Sequence, residues 1–392
     1  MKIFKIIISS LLIYCILGAN EEFLSQNKKD ILRYSYEKSI EDSIKLKNDW
    51  INPITYKYIY NDGEDYDTTK SFISISQPIF KSGGIYYAIK YASSVKDFTT
   101  TNIDTQKKEL IKQIVNLLFQ IKKINISIQK QALLVQNADL DVTRKKEQVL
   151  NGILDTSFLD NAILDANNKK NTLIDLEYQK EELINNLSNL SDKNYKQMKL
   201  PTFSITDDEN YLKNNIYIKK ASQDIDQSYW LKNTITSNYF PTINFTYDYT
   251  KYHDRDNNPA LKEDGTTNVG FNITIPLDIK SPNNIASYKI AYLQKKAELE
   301  DKKRQERSIF KSAMAKIKSL DKKIDISKKD VELYDSLVIQ LQEQLQVGMK
   351  VLSDVQMMEN SKKIKALDVK SLEIDKQIEL LEIYSRIEIK NG

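Results

Sequence analysis

Two eight-residue runs of strict alternation constrain this chain more than anything else in it. In the first, Ile243, Phe245, Tyr247 and Tyr249 alternate with Thr242, Asn244, Thr246 and Asp248. In the second, Val269, Phe271, Ile273 and Ile275 alternate with Asn268, Gly270, Asn272 and Thr274. Period two puts one set on each face of an extended strand and fits no helix. A polar stretch, 254–267, joins the runs, so 239–280 reads as a hairpin with one greasy face and one wet face. Each strand has room for about 9–11 residues, enough to cross a bilayer at a tilt. Apolar-out and polar-in is the pattern of an outer-membrane barrel strand. The same pattern also fits a soluble hairpin laid over a core, and the rest of the chain must decide between them.

The first residues bear on that choice. Lys2 and Lys5 precede an apolar stretch, 6–17, and Leu17-Gly18-Ala19 offers a small-residue cleavage site. Residues 1–19 are therefore expected to be an export signal, too short for a spanning helix. Cys15 is the only cysteine, and Tyr14 stands before it where a lipoprotein signal would have a small residue, so lipidation is not expected. With the signal removed, the mature chain is expected to hold no disulfide and no thiolate metal site. No later stretch is apolar enough to span a membrane as a helix. If the mature chain enters a membrane, it must do so as strands.

A helical pattern at 21–49 is broken by Asn52-Pro53. Then Ile54, Tyr56, Tyr58 and Tyr60 alternate with Thr55, Lys57 and Ile59, and after an acidic loop at 61–69 a second run carries Ile73 and Ile75 on one face. This second hairpin occupies 51–80, and Pro78 is expected to close it, because proline cannot donate to a ladder. Residues 85–150 contain no proline or glycine, and Ile114, Ile121, Ile128, Val135, Val142 and Val149 recur every seven. That predicts a helix roughly 100 Å long with a coiled-coil seam. Asn151-Gly152 ends it, and a second helix at 154–190 folds back across the short turn. After an irregular link at 191–210, residues 211–237 read as helix. Following the opening hairpin, Phe310, Ile317, Ile324, Val331, Val338 and Leu345 again recur every seven, Gly348 interrupts, and a last helix covers 351–389.

The order helix, strand, loop, strand, long helix, glycine turn, helix thus occurs twice, in 20–200 and in 201–392, with helical hairpins at 85–190 and 285–389. Pro276 follows Pro78 by 198 residues, and Gly348 follows Gly152 by 196. The reading is an internal duplication.

One chain supplies four strands, and single-chain bacterial barrels begin at about eight. Open sheet edges in lipid cost several kcal/mol per unpaired backbone group. Strands in a membrane therefore require several copies to share a barrel. Three copies would supply twelve strands, wide enough for a water-filled lumen. Long amphipathic rods that cannot bury their seams alone point the same way. The alternative from another class is a non-channel periplasmic coiled-coil scaffold capped by a β-hairpin layer.

Four sets of residues carry a family resemblance. They are Gln77-Pro78-Ile79-Phe80 with Gly83-Gly84; Phe240-Pro241-Thr242; Asn151-Gly152 with Ser157-Phe158-Leu159-Asp160; and Val347-Gly348 with Ser353-Asp354-Val355-Gln356. In this order and spacing the chain resembles the TolC family of outer-membrane efflux and secretion ducts, over nearly all its mature length. The resemblance implies an α+β membrane protein: a homotrimer with a 12-stranded β-barrel in the outer membrane and a long α-helical barrel in the periplasm. It also implies docking to a periplasmic adaptor and an inner-membrane pump, in tripartite efflux or type I secretion.

It further assigns roles to residues. Asn151, Gly152 and Ile153, with Val347, Gly348 and Met349, would be periplasmic tips that meet the adaptor, although glycine is also the ordinary residue at a helix C-terminus. Asp354 matches an acidic position ringing the periplasmic entrance. Met357 replaces a second family acid and Phe158 stands at the first-half counterpart, so the ring is thinner here. Tyr56, Tyr58, Tyr60, Tyr247 and Tyr249 would form aromatic girdles against outer-membrane lipid, or else a buried aromatic sheet face. The acids Asp62, Glu64, Asp65 and Asp67 read as a solvated loop.

Composition narrows the chemistry. Net charge is only +4 with both signs mixed along 392 residues, which gives no nucleic-acid footprint. The one histidine, His253, has no partner motif, and there is no Gly-rich phosphate loop or His-pair metal spacing. The chain is read as no enzyme and as needing no cofactor, so energy for transport would come from a partner.

Overall fold

The computed structural model describes residues 22–64, 67–254 and 264–388. The expected export signal with Cys15, part of the acidic loop, most of the 254–267 connection and the end of the last expected helix lie outside these residues. The described residues are mostly helical, with one small sheet among them. In order it forms α1 (Gln26–Asn48), β1 (Thr55–Asn61), β2 (Thr68–Phe80), α2 (Gly84–Leu150) and α3 (Thr156–Ser188). Then follow α4 (Asp208–Lys213), α5 (Ile216–Ser237), β3 (Thr242–Asp254), β4 (Gly265–Thr274), α6 (Ser281–Gln346) and α7 (Leu352–Tyr384). Among the described residues no helix is long and apolar enough to cross a membrane.

The residues group into two compact units, each drawing on both halves of the chain. One comprises 33–104 and 217–304 and holds the sheet. The other comprises 22–32, 105–216 and 305–388. Helices α2 and α6 contribute to both.

In the first unit the sheet is antiparallel, in the order β1-β2-β3-β4. The alternation in sequence is what sets its register. Ile243 pairs with Ile273, Phe245 with Phe271 and Tyr247 with Val269. Ile75 faces Tyr247 and Ile73 faces Tyr249 across the central pair. Apolar residues therefore share one face through three strands. The other face joins Ser74, Asp248 and Asn268, and Ser74 Oγ donates to Asp248 Oδ1 at 2.6 Å. A one-residue slip would exchange the faces, so the pattern fixes the pairing. Two details differ from expectation. Pro78 does not close β2; it sits inside the strand opposite Asn244, next to a register shift, and β2 runs on to Phe80. Pairing with β1 ends at Ser74, so Pro78 lies where β2 has no partner on that side. Strands β3 and β4 also extend into the expected loop, through Asp254 and from Gly265, while β1 is short at seven residues.

Beside the sheet, Ser43 Oγ donates to the Ala92 carbonyl at 3.2 Å, joining α1 to α2. Tyr86, Tyr87, Tyr229 and Trp230 form a ring cluster between α2 and α5, with centroids 4.9–6.3 Å apart.

The second unit is where the heptad residues find their partners. Ile114, Ile121, Phe310, Ile317, Ile374 and Leu381 belong to one buried cluster drawn from α2, α6 and α7. Each fully buried aliphatic side chain contributes about 1.5–3 kcal/mol. On α2 the seam is buried at Ile114 and Ile121 but only partly at Ile128, Val135, Val142 and Val149.

Two helix boundaries correct the sequence reading. Residues 211–237 are not one helix: α4 ends at Lys213, and Asn214–Asn215 breaks the run. The last helix ends at Tyr384, well short of 389. Both breaks have one cause. The chain after α7 forms a β-bridge from Ile387 to Asn215, with Ile216 N donating to Arg386 O at 2.9 Å and Glu388 N to Asn214 O at 2.7 Å. Glu306 of α6, completely buried, holds this junction. It accepts from Tyr211 Oη at 2.8 Å, Asn215 Nδ2 at 3.0 Å and Arg386 Nη1 at 3.1 Å. A carboxylate out of water needs such a set of donors. Burial and the adjoining Glu306 carboxylate push the Tyr211 hydroxyl far above the usual tyrosine range, so it stays a donor.

Candidate functional site

The tips of the two helical hairpins are built alike. Gly152 adopts φ +71° and Gly348 φ +76°. At the first, Gly152 N donates to Val149 O at 3.0 Å and Ile153 N to Gln148 O at 2.8 Å. At the second, Gly348 N donates to Leu345 O at 3.0 Å and Met349 N to Gln344 O at 2.9 Å. This paired 5→2 and 6→1 pattern is a Schellman motif, which requires a left-handed residue at the position glycine occupies. A side chain there would meet no other atom within 4 Å, so conformation, not crowding, selects glycine. The turns present large apolar residues to solvent: Leu150 is 75 % exposed and Met349 76 %, with Ile153, Val347, Val351 and Leu352 exposed beside them. All six residues expected at the tips are exposed.

The residues expected at the entrance are not equivalent. Phe158 is exposed at the start of α3, where Asp155 Oδ1 caps the helix by accepting from Ser157 N at 2.8 Å. That bond, with the Ser157 hydroxyl, holds the Asp155 carboxyl below its usual range. Met357 is half-buried, and its carbonyl accepts from Asn137 Nδ2 at 3.4 Å. Asp354 lies in the first turn of α7, where the helix dipole favours a negative charge. It is not an isolated solvated acid. Arg144 Nη1 of α2 donates to Asp354 Oδ1 at 3.4 Å, and Arg144 Nη2 reaches Asp141 Oδ1 at 2.6 Å. Burial would raise the Asp141 carboxyl, but hydrogen bonds and charge from Lys145 and Arg144 outweigh it and hold it below the usual range.

Arg144 was invisible among many cations in the sequence, yet it ends a series. Lys123 pairs with Asp375 at 2.6 Å and Lys130 with Asp368; Asn360 Nδ2 donates to Asn137 Oδ1 at 2.9 Å. On α2 the series 123, 130, 137, 144 steps by seven, and α7 answers with acids at 375, 368 and 354. This polar ladder joins α2 to α7 between residues 123 and 144 of α2.

On the sheet, the expected girdle residues share the apolar face but differ in cover. Tyr56 is 63 % exposed, with Tyr58 and Tyr60 close to it in value, whereas Tyr247 and Tyr249 on the central strand are half-buried. On β4, Phe271 is 70 % exposed and Val269 and Ile273 nearly as much. The tyrosine face is therefore not packed inside a single chain. His253 accepts or donates to Ser71 Oγ at 2.6 Å beside the Tyr58 ring, a strand-surface contact without a nucleophile–base–acid arrangement. No group of three or more His, Cys, Asp or Glu among the described residues could hold a metal.

No protein-family model matches the sequence, and no curated protein is significantly similar to it in sequence. Solved structures are similar over nearly the whole chain. The CmeC outer membrane channel of Campylobacter jejuni superimposes with a TM-score of 0.73 at 12 % identity, covering 94 % of this chain and 84 % of that one. The outer membrane protein VceC of Vibrio cholerae gives 0.72 at 11 %, covering 92 % and 93 %. The open state of the MtrE outer membrane channel of Neisseria gonorrhoeae gives 0.62 at 14 %, covering 93 % and 90 %. The combination of a four-stranded antiparallel sheet, two long helical hairpins and matched glycine tips is thus a known architecture: this chain has the fold of the TolC-like outer-membrane channels.

Proposed function

We propose that three copies of this chain form a passive exit duct in the outer membrane, with the helical portion in the periplasm. One observation carries the reading: the sheet has an exposed apolar face and two open edges, β1 and β4. About half of the ten residues of β4 turn their backbone groups away from β3. In lipid, roughly ten unpaired groups at several kcal/mol each would forbid a lone sheet. Joining β4 of one copy to β1 of the next removes every edge, and three copies give twelve strands around a polar lumen. Ser74, Asp248, Asn268 and their neighbours would line that lumen, and the tyrosines would meet lipid headgroups.

The matching order and near-equal lengths of α2 and α6, and of α3 and α7, support the internal duplication. The exposed apolar tips suit docking by a periplasmic adaptor, which with an inner-membrane pump would supply energy and choose the cargo, in efflux or type I secretion. The chain itself conducts and does not catalyse. Asp354, tempered by Arg144, would sit at the periplasmic entrance, with Met357 and Phe158 nearby.

The test is fractionation followed by native mass measurement after mild extraction. The duct reading expects the mature protein in the outer membrane and at three times its chain mass. A freely dissolved periplasmic monomer would leave the coiled-coil scaffold as the better reading.

A further inference from the structure

Most ion pairs that join α3, α2, α7 and α6 run in one direction from helix to helix. Lys170 of α3 pairs with Asp139 of α2 at 2.8 Å. Lys123, Lys130 and Arg144 of α2 pair with Asp375, Asp368 and Asp354 of α7. Lys376, Lys365 and Lys362 of α7 pair with Asp321, Asp330 and Asp335 of α6. In the lateral order α3-α2-α7-α6, each helix gives cations to the next and carboxylates to the one before. Lys316 with Glu379 runs the other way.

The two outer helices of this row are left with opposite, unanswered charge. In 174–182, α3 carries four acids and one lysine, while in 318–329, α6 carries five lysines and two aspartates. Among the described residues, Asp175, Glu181 and Glu182 of α3 make no side-chain ion pair or hydrogen bond, and neither do Lys318, Lys322 and Lys329 of α6. Each stretch also exposes apolar side chains: Ile174 and Tyr178 on α3, Ile326 on α6.

The heights match as well. Ile174 lies 22 residues beyond Gly152, and Ile326 lies 22 before Gly348. Tyr178 and Lys322 are each 26 residues from their glycine, and Glu182 and Lys318 each 30. If copies stand with their tips level, antiparallel α3 and α6 bring these residues side by side, about 33 Å above the turn.

We propose that the α3 edge of one copy docks against the α6 edge of the next. Ile174 and Tyr178 pack on Ile326, and Asp175, Glu181 and Glu182 face Lys318, Lys322 and Lys329. The partner is a second copy of this chain, and the contact is head-to-tail, the type that closes into a ring. Charges flanking an apolar stripe set partner and register more than affinity, as at the flanking positions of a coiled coil. The internal polarity thus continues across the subunit boundary and selects this chain over a different duct. This inference rests on the three-copy duct reading and names its contact.

The test uses the full mature protein in mild detergent, where Cys15 is expected to be gone. Oxidation of a chain carrying both Ile174→Cys and Ile326→Cys should yield covalent trimers on a denaturing gel, while each single variant stays monomeric. Lys318→Glu with Lys322→Glu should raise the concentration of half-dissociation about tenfold. Glu181→Lys with Glu182→Lys should do the same, and all four together should restore the trimer. A wild-type trimer that neither cross-links at these positions nor responds to the reversals would overturn the interface and leave the duct standing. A wild-type monomer would overturn both.

Discussion

Arg144 of α2 and Asp354 in the first turn of α7 meet across the two helical hairpins, Nη1 to Oδ1 at 3.4 Å, while the other guanidinium nitrogen holds Asp141 at 2.6 Å. The carboxylate proposed for the entrance thus shares its cation with Asp141, and its pair is the loosest rung of the α2–α7 ladder. A partly exposed pair is worth about 0.5 kcal/mol, so three copies shift an open–closed balance roughly tenfold. Arg144→Ala should increase open time and cation selectivity in single-channel recordings. Asp354→Ala should increase open time but lower cation selectivity. Unchanged selectivity in Asp354→Ala would remove that residue from conduction.

The buried junction at Glu306 should dominate stability. Glu306→Ala takes the shared acceptor from Tyr211, Asn215 and Arg386, leaving the guanidinium to Glu382 at 2.8 Å, and should cost about 3–5 kcal/mol. Tyr211→Phe removes one hydrogen bond and should cost about 1 kcal/mol. Thermal unfolding of both variants checks the ratio; equal losses would mean that packing, not charge, holds the junction.

At the hairpin tips, Gly152→Ala and Gly348→Ala should each cost roughly 1 kcal/mol, the strain of a left-handed alanine. No clash adds to it, since the surrounding space is open. Asparagine, which tolerates that conformation better, should cost less at both positions in denaturant titrations.

Acid should weaken the helical unit through Glu382. Burial alone would raise its carboxyl, but Lys112 at 2.6 Å and Arg386 outweigh burial and lower it. A depressed folded pKa means the stabilisation is complete above the unfolded value, about 4.3, and fades as pH falls toward the folded one. Unfolding temperature should therefore drop below about pH 4.3, and Glu382→Gln should flatten that limb while lowering stability at neutral pH.

The sheet was legible because alternation needs no knowledge of the partner: Phe245 and Phe271 occupy one face whichever strand pairs with which. The long helices were legible from the seven-residue recurrence of Ile114 and Ile317, and their ends from the glycines. Pro78 misled because its missing donor matters only where a neighbour exists, and β1 has ended by then. The break at Asn214–Asn215 carries no proline or glycine; it is imposed by Glu306, 91 residues further on in the chain. Arg144 was hidden for the same reason, since Asp354 is 210 residues away. Tertiary partners at such separations leave no local trace.

The most direct measurement is current across a planar bilayer holding the purified mature protein. A shared barrel with a polar lumen requires discrete, reproducible conductance steps, each from one assembly of three chains. A silent bilayer, with the protein verified as folded and present in the membrane, would contradict the duct.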